Sequence, residues 1–226
     1  MTPRSSPCPN REPVDRDATC IRGDDPPRGS TPLVVISLIA LATHPAHARG
    51  RRWDTDGTMT TTLLLLADTH IPARARRLPD AVLEAVDSAD IVVHAGDWVD
   101  VATLELIETR SARFHGVYGN NDGAELRERL PEVARLVVDG LRFAVVHETG
   151  PARRREERMD EAFPDTDVLV FGHSHIPWDT VTPGGMRLLN PGSPTDRRRQ
   201  PVCTMMRVEV VSSTLEATII PVERSA

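Results

Sequence analysis

Five short clusters carry side chains able to do chemistry: Asp68-Thr69-His70, Gly96-Asp97, Gly119-Asn120, His147, and Gly172-His173-Ser174-His175. Together they offer two carboxylates, one amide oxygen and four imidazoles. Mixed oxygen and imidazole donors without thiolates suit Mn, Fe, Zn, Ni or Co. Seven donors are too many for one ion, and shared through a bridging carboxylate they fit two ions about 3.5–4 Å apart. Each cluster taken singly has a plainer reading. Asp97 can cap a helix after a glycine turn, Asn120 can cap or turn, and His147 can be a hydrogen-bonded structural residue.

The clusters gain weight from where the surrounding pattern puts them. Leu63–Leu66, Ile91–Val93 and Val168–Phe171 are short continuous apolar runs, as in strands buried on both faces. Pro79–Ala89 and the stretch marked by Val101, Leu104 and Ile107 repeat as amphipathic helices, and Phe114–Tyr118 reads as a third strand. Strand alternating with helix implies βαβ units and a largely parallel sheet, whose ligands gather beyond the carboxyl ends of the strands. All five clusters sit at such ends. In the second half Leu136–Val138 and Leu141–Val146 flank Asp139-Gly140, a hairpin signal. Val208–Val211 with Leu215–Ile220 reads as a second antiparallel pair, and Ala152–Ala162 as a polar helix. The predicted fold is α/β: a four-layer α/β-β/α sandwich of two mixed sheets flanked by helices.

The ordered set D-x-H, G-D, G-N, H and G-H-x-H resembles the calcineurin-like metallophosphoesterases, and among them the small bacterial and archaeal phosphodiesterases. The likeness runs over residues 59–226 and includes the turn Asn190-Pro191-Gly192-Ser193. It implies the metallo-dependent phosphatase fold and a first metal held by Asp68, His70, Asp97 and His175, with Asp97 bridging. It implies a second metal on Asn120, His147, His173 and Asp97. Asp97, Asn120 and His147 are then the catalytic set. The implied cofactors are two divalent ions, Mn2+ foremost, with Ni2+, Zn2+, Fe2+, Co2+ or Mg2+ as other occupants. Such a pair lowers the pKa of a bridging water towards neutrality and stabilises in-line displacement at phosphorus, so direct hydrolysis is expected.

Three departures from the family pattern narrow the substrate. Asn121 stands where many members have a His that protonates the leaving oxygen, a role worth about 10²–10⁴-fold. Val101 replaces an Arg that would grip a phosphomonoester dianion. Glu148 follows His147 where the family usually has Gly, placing a carboxylate beside the second metal. The expected function is therefore phosphodiester hydrolysis, on a small-molecule phosphodiester or nucleotide. Two alternatives stay open: a catalytically weak or inactive scaffold, since the sorting subunit of the retromer complex resembles the same fold, and a phosphomonoesterase or nucleotide pyrophosphatase. His94 is read as core or as support for the site, His115 as surface or packing. Arg153–Arg155 with Arg158 form a solvated helix face or a basic lid. Arg197–Arg199 are surface residues or neighbour the substrate, and Trp178 packs in the core or closes the pocket.

The chain has 226 residues, 39% apolar and 27% charged, and a formal charge of −6. That balance argues against a stable nucleic-acid partner, and no apolar run is long enough to span a bilayer. All 27 basic residues are Arg. Three Cys cannot form a disulfide framework. Residues 1–58 hold eight of the 19 Pro and are expected to be a disordered or dispensable extension. Within it, residues 33–48 are signal-like, an apolar run followed by Ala46-His47-Ala48. Met59 reads as a start, which makes 59–226 the functional domain. A cytoplasmic protein follows, or an exported one if 33–48 act as a signal. Homo-oligomerisation is left open.

Overall fold

The structure, a computed structural model, describes residues 52–53 and 59–223. The remainder of the expected extension 1–58, including the signal-like segment 33–48, lies outside the described residues. In chain order the elements are β1 (Arg52–Trp53), β2 (Met59–Leu66), α1 (Asp80–Ser88), β3 (Ile91–His94), α2 (Val101–Arg110), β4 (Phe114–Gly116), α3 (Ala124–Arg129), β5 (Ala134–Val138), β6 (Leu141–Val145), α4 (Arg155–Ala162), β7 (Val168–Val170), β8 (Trp178–Val181), β9 (Arg187–Asn190), β10 (Cys203–Val211) and β11 (Thr214–Val222).

Two mixed sheets result. The first runs β11-β10-β2-β3-β4, with β1 paired to the start of β2, and the second runs β5-β6-β7-β9-β8. In the first, β2, β3 and β4 are parallel, registered Leu63 to Ile91 and Val92 to Phe114. In the second, β6, β7 and β9 are parallel, registered Phe143 to Val168 to Arg187.

The period-two alternation of strand side chains explains the layering. Along β2, Leu63 and Leu65 face Phe143, Val145, Val168 and Val170 of the other sheet, while Leu64 and Leu66 face Val82 and Val86 of α1 and Leu104 and Ile107 of α2. On the far side, Ala144, Leu169 and Leu188 pack with Met159 of α4. Three apolar seams separate four layers, as the periodicity predicts. Each fully buried Leu contributes about 1.5–3 kcal/mol of transfer free energy.

Local chemistry sets the joints. Asp100 caps α2 by accepting the Thr103 N–H at 2.9 Å. Asp139 and Gly140 take φ of 45° and 89°, the left-handed pair a two-residue hairpin needs between β5 and β6. Two expected elements are shortened at one end by two residues or more. The third strand ends at Gly116 rather than Tyr118, because the Tyr118 N–H turns away to the Pro131 carbonyl. Helix α4 begins at Arg155 rather than Ala152, because Arg154 is left-handed at φ 53°. No helix among the described residues is long and apolar enough to cross a membrane.

Candidate metal centre

The parallel strands of each sheet end in the loops that carry the chemistry. Asp68 and His70 follow β2, Asp97 follows β3, Asn120 follows β4, His147 follows β6, and His173 and His175 follow β7. Loop-to-loop hydrogen bonds stitch these ends together: Asp68 N–H to the Gly96 carbonyl at 2.9 Å, and Gly172 N–H to the His147 carbonyl at 3.0 Å. All seven sequence-predicted residues converge. His70 Nε2 lies 3.2 Å from His175 Nε2 and 3.4 Å from Asp97 Oδ2. His175 Nε2 is 3.4 Å from Asp68 Oδ1. On the other side His147 Nε2 lies 3.4 Å from Asp97 Oδ1 and 2.9 Å from Asn120 Oδ1, which is also 2.9 Å from His173 Nδ1. The Asp97 carboxylate thus turns one oxygen towards each histidine pair.

The backbone is strained to achieve this. Asp68, His70, Asp97, His173 and His175 all take positive φ, between 44° and 67°. Left-handed conformations of non-glycine residues cost about 1–3 kcal/mol each and gather at functional sites. Gly119 is required beside Asp97, since a Cβ there would lie 2.2 Å from Asp97 Oδ1.

Neighbouring residues hold these side chains and their loops in place. The buried Asp122 carboxylate accepts four backbone N–H groups, from Asp97, Trp98, Val99 and Gly119, at 2.7–3.1 Å. These bonds make it the anchor of the turn. Asn121 donates its backbone N–H to Asp97 Oδ1 at 2.8 Å and its side-chain amide to Oδ2 at 2.6 Å. In the Asn190-Pro191-Gly192-Ser193 turn, the Asn190 amide donates to the Gly172 carbonyl and Ser193 Oγ donates to the Asp68 carbonyl. Thr195 Oγ1 donates to the Thr69 carbonyl. His94 stays in the core, stacked on Trp98 at 3.4 Å between centroids, with Thr69 Oγ1 at 3.3 Å.

Of the basic residues, Arg155 is buried with its guanidinium over Phe171 and Trp178. Arg158 donates to the Thr149 carbonyl and Arg154 pairs with Glu157, while Arg153 is exposed. Trp178 packs on the outer seam and donates to Thr180. Arg198 does lie where its charge reaches the centre, helping to lower the pKa of Asp68 and His175 against or alongside the larger effect of burial.

The donors fit divalent cations. The His147 and His175 Nδ1–H groups donate to the carbonyls of Ala95 (2.7 Å) and Asp196 (2.6 Å). In the neutral ring each Nε2 then carries a lone pair, aimed at oxygens that can only accept. Asp68 Oδ2 is buried without a hydrogen-bond partner, a costly state for a carboxylate. Burial pushes the Asp68 pKa well above the usual carboxylate range and the His175 pKa down to about 4. Burial also lowers His70. Burial alone would raise Asp97 and lower His147, but hydrogen bonding and charge between them win, holding Asp97 well below its ordinary value and raising His147. Converging lone pairs and carboxylates are what a cation resolves. Three overlapping groups have this form: Asp68/His70/His175, Asp68/Asp97/His147 and His147/Glu148/His173. They describe two adjacent divalent-metal sites.

The pattern of the calcineurin-like phosphoesterase superfamily domain matches residues 62–213. The chain belongs to this superfamily. A probable metallophosphoesterase of Methanocaldococcus jannaschii is 34% identical over 161 residues, covering 70% of this chain and 80% of the relative. A phosphodiesterase of the same organism is 26% identical over 129 residues, covering 49% and 71%. Among solved structures, a Thermotoga maritima protein studied by NMR superposes with a TM-score of 0.59 at 32% identity, covering 72% of this chain and 99% of that one. Superfamily membership and the paired cation sites together make the chain a metal-dependent hydrolase of the phosphoesterase type.

Proposed function

We propose that the chain is a phosphodiesterase whose two cations are held by Asp68, His70, Asp97 and His175 and by Asp97, Asn120, His147 and His173, with Mn2+ as the working metal. The observation carrying the dinuclear reading is the orientation of Asp97, with Oδ2 3.4 Å from His70 Nε2 and Oδ1 3.4 Å from His147 Nε2. When bound, a divalent pair activates water near neutral pH and neutralises charge on the phosphoryl oxygens.

The protein's own part is preorganisation. Asn121 fixes the Asp97 carboxylate plane from below with two N–H donors, and Asp122 holds the loop behind it. The carbonyls of Ala95 and Asp196 set the rings of His147 and His175, so each offers a fixed Nε2.

Three features favour a diester. Asn121 occupies the place of a leaving-group acid and commits its amide to Asp97, so the substrate has to depart without a proton from that position. A cavity of about 350 Å³ opens beside Asn120 and His147, lined also by Tyr118, Arg127, Val133 and Phe163. It gives room for the second ester substituent, which a monoester lacks. Val101 faces the apolar seam of α2, leaving no guanidinium there to grip a dianion. The existence of a phosphodiesterase among the relatives supports the same reading. With Mn2+ present, bis-p-nitrophenyl phosphate is expected to be hydrolysed with a higher kcat/KM than p-nitrophenyl phosphate. A preference for the monoester would overturn the diester assignment.

A further inference from the structure

Glu148 falls in one of the three cation-binding groups but outside both the family pattern and the seven-residue ligand set proposed above. It directly follows His147 at the end of β6, and its side chain is half-exposed. Its Oε1 lies 3.5 Å from His173 Nδ1, the same nitrogen that approaches Asn120 Oδ1 at 2.9 Å. The ligand atoms of His147, Glu148 and His173 fall within 4.8 Å of one another. Among the described residues no arginine pairs with Glu148, so nothing else holds the carboxylate towards His173.

These spacings have a specific meaning. Around an ion with bonds of about 2.1 Å, neighbouring donors stand about 3.0 Å apart in an octahedron and about 3.4 Å apart in a tetrahedron. The Asn120–His173 and Glu148–His173 separations, 2.9 and 3.5 Å, bracket those edges. His147 Nε2 approaches the same Asn120 oxygen at 2.9 Å, so the donors of three residues converge where one cation would take them all.

We propose that Glu148 is a direct ligand of the second cation, a fifth protein donor beside Asp97, Asn120, His147 and His173. The inference rests on the dinuclear reading above and extends it in two ways. The second site then presents three oxygens and two imidazoles, a harder set than the first, and discriminates towards Mn2+ and away from Zn2+. The centre also acquires a third carboxylate beside Asp68 and Asp97. Two dications then leave a net charge of about +1 rather than +2, matched to the single charge of a phosphodiester rather than to a monoester dianion.

The test is a Mn2+ titration of the chelator-stripped full chain, followed by calorimetry and by electron paramagnetic resonance, on the parent, Glu148→Gln and Glu148→Ala. The parent is expected to take up two ions. In Glu148→Ala the second should weaken at least the roughly tenfold that loss of even an outer-shell partner costs, with the first unchanged. Glu148→Gln, which keeps an oxygen without charge, should fall between. The same titration with Zn2+ should show a smaller loss. Two ions in the parent and an unaltered second affinity in the Ala variant would overturn the role of Glu148 while leaving the dinuclear reading intact. Fewer than two ions in the parent would overturn both.

Discussion

Asp97 is the residue on which the two halves of the centre depend. Its two oxygens face different histidine pairs, its φ of 62° is left-handed, and both Asn121 and Asp122 are spent on holding it. Asp97→Asn, which removes the charge and one acceptor, is expected to release both ions and lower kcat/KM for bis-p-nitrophenyl phosphate by at least about 100-fold, the upper range for disturbing a metal's supports. Metal analysis of the purified variant checks the cause. His94 makes a separate prediction, because burial keeps its pKa well below 6.5. The unfolded chain takes up a proton below pH 6.5 that the folded ring refuses. Stability is therefore full above pH 6.5 and drains as pH falls, by up to about 1.4 kcal/mol per pH unit from this group. Urea unfolding of the metal-free protein at pH 7.5 and 5.5 should show a smaller loss in His94→Gln than in the parent. At this scale the seven converging side chains were legible because they are of the residue types able to ligate a metal. Thr195 and the Asp196 carbonyl were not, since each contact has a backbone group on one side, which leaves no mark on the sequence.

The loops after β2, β3, β4, β6 and β7 are the elements that make the centre, and their glycines are set by contact rather than by flexibility alone. At Gly119 an added Cβ would sit 2.2 Å from Asp97 Oδ1 and 2.4 Å from its backbone nitrogen, whereas at Gly123 it would meet nothing within 4 Å. Gly119→Ala should therefore cost about 1–3 kcal/mol and most of the activity. Gly123→Ala, at the N-cap of α3, should cost less than about 1 kcal/mol, because the poorer cap is offset by the stiffer unfolded chain. Denaturant midpoints and rates of the two variants make the comparison. The buried strands and the β5–β6 hairpin were readable from apolar runs and from Asp139-Gly140. Helix α3 was not, because its six residues bury only Leu126. Strand β8 was missed because it pairs with β9 alone, at the edge of its sheet, with no fully buried residue in Trp178–Val181. Strand β9 is a four-residue run whose apolar part is only Leu188-Leu189.

At the scale of the described fold, neither sheet holds a complete centre. The first brings Asp68, His70, Asp97 and Asn120 and the second brings His147, His173 and His175, so the apolar seam between the sheets is what aligns the donors. The four layers were legible as alternating apolar faces. The convergence of loops from both sheets on one cation pair was carried by the order of the motifs, since no local pattern encodes a meeting between residues as distant as Asp68 and His175. The central claim is that two cations share Asp97 within this set. Anomalous diffraction at the manganese edge from Mn2+-loaded crystals tests it directly. Two peaks are predicted, one among Asp68, His70, Asp97 and His175 and the other among Asp97, Asn120, His147 and His173. A single peak, or peaks away from Asp97, would contradict the account.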